Sequence, residues 1–195
     1  MIYAPELTLG EARRQYFDRN GFAADGGYNE RWIKVKYGWI PVRLPNTAGR
    51  RRAVRLHDLH HVLTEYPTTW RGEAEISAWE VASGGLHRYW AGWWLDLMNI
   101  AQGLVINPQG VYAAFMRGRE TANLYGTTFS DEMLRRTVGE CREELFFDTA
   151  GSHHGLRDHG AFVFWALGSA CVYLFSVVVP AILLVGFVLA LILRR

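Results

Sequence analysis

Cysteine is scarce in this chain. Only two occur, Cys141 and Cys171, and they lie far apart. Such a pair excludes a disulfide framework and a thiolate metal site, and suits a reduced, cytosol-facing compartment. An excess of either charge is missing as well: the formal net charge is +2, too small to argue for a nucleic-acid partner. The opening stretch, MIYAPELTLGEARRQYF, lacks an apolar core of signal-peptide length. The globular part is therefore expected to stay on the cytoplasmic side, where it is made. The last absence is local. From Ala161 to Leu193 there is no charged residue.

A membrane span needs about 20 apolar residues, so this run is long for one and short for two. Val172 to Leu193 makes one good span, with Ala161 to Cys171 at the interface; a tight hairpin broken at Pro180 is the alternative. Arg194-Arg195 favour a cytoplasmic C-terminus and hence the hairpin, while Arg142 and Arg157 weigh on the other side. Either way a membrane is an expected partner.

Aromatic residues are abundant, at 14% with eight Trp. That content points toward interfaces or an aromatic-lined cavity. The most informative stretch is Leu56-His57-Asp58-Leu59-His60-His61, followed by Glu73 beyond a turn at Tyr66-Pro67-Thr68-Thr69. On a helix His57 and His61 stand one turn apart on one face, with Asp58 flanking it. The gap to Glu73 is long enough to end one helix, turn at Pro67 and begin another. His57, Asp58, His61 and Glu73 can thus converge two imidazole nitrogens and two carboxylate oxygens on a divalent cation. The competing reading is an ordinary amphipathic helix with two solvated histidines and one capping acid. His60 points away from the pair and is left unliganded. Glu80 shares a helix face with Glu73 and can accept from a ligating imidazole, but composition favours a surface carboxylate.

The pattern predicts a mainly α protein: a helical bundle with a small N-terminal β-hairpin and a C-terminal transmembrane segment. Residues 1–46 form an N-terminal region with a weak helix at Leu9 to Phe17. Its hairpin runs over Arg31 to Tyr37 and Trp39 to Leu44, turning at Gly38. No chemistry is assigned to it; a lid over the metal site is one reading. Residues 47–148 form the helical metal-site domain, 149–160 a polar linker, and 161–195 the anchor. Within the domain, helices are expected from Asn46 or Thr47 to Glu65, from Thr68 or Thr69 to Ala82, and from Leu86 to Ile106. Two more follow, from Pro108 to Arg119 and from Ser130 to Phe146. Arg50, Arg51, Arg52 and Arg55 read either as a solvated face or as a place for anionic head groups. The third helix carries Tyr89, Trp90, Trp93 and Trp94, by default core residues, otherwise the lining of a slot for an aromatic or isoprenoid substrate. Trp90 and Trp94 are the substrate-binding candidates. Arg117 and Arg119 are candidates for holding a substrate anion. His153, His154 and His159 have no helical spacing and are discounted as a second metal site.

The string HDLHHVLTEYPTTWRGE resembles the His-Asp-x-x-His-x11-Glu signature of the Coq-four family of ubiquinone (coenzyme Q) biosynthesis proteins. Trp79-Glu80, Gly118-Arg119, Asn123-Leu124-Tyr125 and Arg142-Glu143-Glu144-Leu145 also sit where that family has similar residues. The likeness runs from about His57 to about Phe146; the N-terminal region and the apolar C-terminus have no counterpart in it. By this resemblance His57, Asp58, His61 and Glu73 are catalytic residues holding a divalent metal. Zinc is the first choice, with iron, manganese or magnesium as alternatives. The implied reaction replaces the ring carboxyl of a polyprenylated benzoate with hydroxyl. The implied partners are a prenylated aromatic lipid, the membrane, other biosynthetic enzymes and further copies of the chain. Two rivals stand beside this: a non-catalytic lipid-binding scaffold with a structural metal, and a metal-dependent hydrolase of a lipid phosphate.

Overall fold

A computed structural model describes residues 1–37, 40–146 and 154–193. The turn expected at Gly38, Trp39, His153, the first part of the linker and Arg194-Arg195 lie outside the described residues. The fold is mainly α. In order the elements are α1 (Leu9–Asn20), β1 (Trp32–Tyr37), β2 (Ile40–Pro45), α2 (Ala48–Thr64), α3 (Trp70–Ala82), α4 (Trp90–Ile106), α5 (Pro108–Arg119), α6 (Asp131–Arg135), α7 (Val138–Leu145) and a long α8 (Leu156–Leu193). The two strands pair antiparallel, Trp32 opposite Pro45.

Local chemistry sets the boundaries. Thr47, Thr69 and Asn107 each accept the backbone N–H three residues on, capping α2, α3 and α5, and Pro108 needs no partner at the first position of α5. Helix α2 ends on Glu65, a non-glycine at φ 65°. That left-handed conformation is costly for a residue with a Cβ. The Glu65 carboxylate offsets the cost by accepting from Arg142 Nη2 at 2.8 Å and from the Ile2 N–H at 2.7 Å.

Helix α3 is the axle of the domain. It is buried on nearly every side, with α4 and α5 packed along it and Trp79 fully enclosed. A helix apolar on most faces belongs in a core. Leu56, Leu59 and Leu63 of α2 and Phe115 of α5 complete that core.

Three boundaries differ from the sequence reading. The single helix expected from Ser130 to Phe146 is two, α6 and α7. Its middle pairs with the N-terminus instead: Leu9 N–H donates to Arg136 O at 2.8 Å and Val138 N–H to Leu7 O at 2.8 Å. Thr137 then restarts the helix with a capping box to Glu140. The third helix begins at Trp90 rather than Leu86, because Gly84, Gly85 and His87 all have positive φ and hold the chain out of the helical region. The last helix starts at Leu156, inside the expected linker, and runs unbroken through Pro180. Pro180 lacks an N–H, which leaves the Ser176 carbonyl without its helical partner. A π turn at Leu174–Val178 takes up that fault without breaking the rod.

Helix α8 is long and apolar enough to cross a membrane. Its first half is fastened to the domain. Trp165 stacks on Trp93 at 5.2 Å, Phe162 meets Phe115 edge-on at 5.4 Å, and Asp158 pairs with Arg119 at 2.9 Å. Trp94 Nε1 donates to Ser176 Oγ at 3.1 Å. From Pro180 to Leu193 every residue is exposed.

Candidate metal centre

The end of α2 and the start of α3 are brought together by the turn at Tyr66-Pro67-Thr68-Thr69. Gly72 makes that turn feasible: a Cβ there would lie 1.9 Å from the Pro67 carbonyl oxygen. The residue after it is Glu73, so the tight turn delivers that carboxylate to the histidine face of α2.

His57, His61 and Glu73 offer ligand atoms that all lie within 4.8 Å of one another. His57 Nε2 and His61 Nε2 face each other at 3.1 Å. Glu73 Oε2 is 3.6 Å from the first and Oε1 is 3.4 Å from the second. The far sides of both rings are engaged. His61 Nδ1 lies 2.8 Å from the Tyr66 carbonyl oxygen, which can only accept, so that nitrogen carries a proton. His57 Nδ1 lies 2.9 Å from Glu80 Oε1 and donates to it. In neutral rings, then, two imidazole lone pairs and a carboxylate point into one small space, and a cation between them relieves the repulsion. The donor set is two imidazoles and one carboxylate, the kind that holds zinc and neighbouring divalent metals.

Behind this group sits a buried polar network. Glu80 is fully enclosed, a correction to the surface position that its composition favours. Its Oε1 accepts from His57 Nδ1, from His60 Nδ1 at 2.6 Å and from Tyr125 Oη at 3.1 Å. The tautomer of His60 is set from the other side, where Nε2 accepts the Leu124 N–H at 2.9 Å. His60 is therefore a structural member of the network and not one of the three converging ligands. Burial lowers the His60 pKa and keeps that ring neutral. Glu80 itself is raised by burial, but the facing His57 and His60 outweigh this and hold it below the carboxylate range. Asp96 is also buried; enclosure first, then the Glu80 charge, raises its carboxyl well above the usual range.

Asp58 is not in the three-residue group. Its Oδ2 accepts from Tyr28 Oη at 2.5 Å, which ties α2 to the loop before β1. A fourth protein ligand adjacent to His57 in sequence is thus engaged elsewhere in this arrangement.

A cavity of about 820 Å³ opens beside the centre. His57 and Glu73 lie on its wall with Asp96, Val54, Tyr89, Trp90 and Leu95, and Arg50, Arg52 and Arg88 line it as well. Trp90 is thus on the cavity wall. Trp94 and Arg119 are not among its lining residues: the first bonds to Ser176 and the second pairs with Asp158, both on α8. Arg117 lies between the rings of Tyr66 and Phe146 and donates to Thr64 O at 3.1 Å. The basic run at the start of α2 is only partly a solvated face, since Arg55 packs over Tyr28 and Phe129. Signals for both network residues were present: Glu80, weighed from sequence as an acceptor for a ligating imidazole, follows Glu73 by two helical turns, and His60 lies one turn from His57.

The metal-free centre holds a proton. Burial pushes the His57 imidazole down, but the carboxylates of Glu80 and Glu73 together outweigh it and hold the ring well above its ordinary value. A metal entering at neutral pH displaces that proton, so apparent affinity rises with pH until His57 is already neutral. Calorimetric titration with zinc in two buffers of different ionisation heat is expected to show release of about one proton per ion. Heats independent of buffer would contradict this.

Compared with known protein families, with curated proteins and with solved structures, the chain finds no match.

Proposed function

We propose that this protein is a membrane-anchored metalloenzyme of ubiquinone-type lipid biosynthesis that oxidatively decarboxylates a prenylated benzoate ring. The observation that carries the reading is the meeting of His57 Nε2, His61 Nε2 and Glu73, the two rings held from behind, beside a cavity of about 820 Å³. The resemblance of the surrounding sequence to the Coq-four family supplies the substrate class. A bound divalent ion, zinc first and iron, manganese or magnesium as alternatives, supplies a Lewis acid for the substrate carboxylate. The chain's own residues do the rest. Glu80 and the Tyr66 carbonyl fix the ring orientations of His57 and His61. Arg50, Arg52 and Arg88 bring positive charge to the cavity for an anionic head, and Val54, Tyr89, Trp90 and Leu95 cover its apolar body. The ring carboxyl leaves as carbon dioxide and a hydroxyl takes its place at the same carbon. This is a two-electron oxidation: the ring–carboxyl bond breaks, a ring–oxygen bond forms with water as the oxygen source, and dioxygen supplied from outside the chain takes the two electrons and leaves as hydrogen peroxide.

The test is direct. Metal-loaded protein in detergent is given a short-prenyl hydroxybenzoate under air, and product and carbon dioxide are measured together. Equal amounts of hydroxylated ring and carbon dioxide are expected. Intact substrate after incubation with each of the four metals would overturn the proposal.

A further inference from the structure

We infer that the mouth of the cavity rests on the bilayer surface, in the head-group layer, and takes its ligand from the lipid rather than from bulk water. The inference rests on reading α8 as a span, and it deepens the proposed function by naming the source of the substrate.

The span sets the level. From Leu174 to Leu193 the helix rises about 30 Å at 1.5 Å per residue, which matches the hydrocarbon thickness of a bilayer. Ser176 then falls within the first turn of the span, at the boundary between water and lipid. Trp94 donates its indole N–H to Ser176 Oγ at 3.1 Å, so the N-terminal turns of α4 stand at that same boundary. Trp90 is one turn earlier on α4; it is 80% exposed and lines the cavity. An indole so open to water adds little to the core, and Trp70, also exposed, lines the same cavity.

The rest of the mouth has matching chemistry. Trp70, 43% exposed, is on the rim with the exposed Arg52 and Arg88. Indoles settle at the level of the glycerol and carbonyl groups, and guanidinium groups pair with lipid phosphates. An aromatic and basic rim, beside the point where the chain's own apolar helix leaves the domain, fits an anionic leaflet. A protein partner needs no such coincidence. The cavity then presents its wet end, with His57 and Glu73, to a polar head that reaches up from the leaflet.

The experiment uses the full chain with Cys171→Ser, which leaves only the buried Cys141. One nitroxide is attached at a time, at Trp90→Cys or Arg88→Cys on the mouth, at Leu189→Cys on the free end of α8, and at Arg135→Cys on α6. The protein is reconstituted in vesicles of mixed phosphatidylcholine and phosphatidylglycerol. Collision with oxygen is compared with collision with a water-soluble nickel complex. The Trp90 and Arg88 positions are expected to show an oxygen-to-nickel ratio several-fold above Arg135 and below Leu189. Mouth labels that match Arg135 while Leu189 is embedded would overturn the inference and leave the span intact. Mouth labels shielded from both agents, with spin–spin broadening, would place a second copy there and overturn it too. A Leu189 label in water would remove the span and the inference together. None of these results touches metal binding, which is measured in detergent.

Discussion

Glu80→Ala lowers the stability of the domain by about 3–5 kcal/mol, the loss expected when one partner of a buried charged network is removed. Three donors end on one oxygen of that side chain: His57 Nδ1, His60 Nδ1 and Tyr125 Oη. Among the described residues none of the three atoms makes a hydrogen bond to any other group. His60 in particular cannot turn away, because its second nitrogen is committed to the Leu124 N–H. Each orphaned buried donor costs about 1–3 kcal/mol, with some recovery if water enters the space left behind. For a chain of this size the melting temperature falls by on the order of 10 °C. Glu80→Gln is the informative companion. It keeps an acceptor oxygen and most of the stability but loses the charge that steadies His57, so metal affinity is expected to drop about 10–100-fold. Circular dichroism melts of the two variants read the first effect, and metal titration reads the second. A Glu80→Ala protein that melts with the wild type would show that the network contributes nothing.

The second large effect is on metal content. Detergent-purified wild type is expected to carry about one divalent ion per chain, and His61→Ala to carry only a trace. His61 is buried and stacks on Tyr16 at 5.4 Å, so its removal also weakens packing. Glu73→Gln separates the two consequences: Glu73 is only partly buried, and Gln keeps its size while removing the charge. That variant is expected to stay folded, lose most of its metal and lose turnover. Elemental analysis, a melting curve and the decarboxylation assay are read side by side. Full metal occupancy in both variants would place the ion elsewhere.

The positions of α2 and α3 were readable in advance because threonine caps, a Pro67 turn and helical spacing act locally. The same spacing put His57 and His61 on one face, and the length of the gap allowed Glu73 to meet them. What could not be read was the environment beyond each helix. Glu80 has the composition of a surface residue, and only the packing of α3 against α2, α4 and α5 encloses it. Asp58 sits beside His57 in sequence, yet Tyr28, thirty residues earlier, decides what its carboxylate does. The pairing of Arg119 with Asp158 and of Trp94 with Ser176 was equally hidden, because nothing in the sequence shows α8 folding back along the domain. The break between α6 and α7 rests on a backbone pairing with residues near the N-terminus, although the Thr137–Glu140 capping box was a local signal for it.

The fastening of α8 to α4 and α5 has a kinetic consequence. A pocket on a flexible leash would sample a hemisphere of solution. Mounted on a continuous rod clasped at Trp165 and Ser176, it would be held at one height and one tilt if α8 spans a bilayer as proposed. Its encounters would then become a lateral search in two dimensions. Seated in a bilayer, the protein would respond to the mole fraction of its lipid among neighbouring lipids, and diluting the vesicles in buffer would leave the rate per protein unchanged.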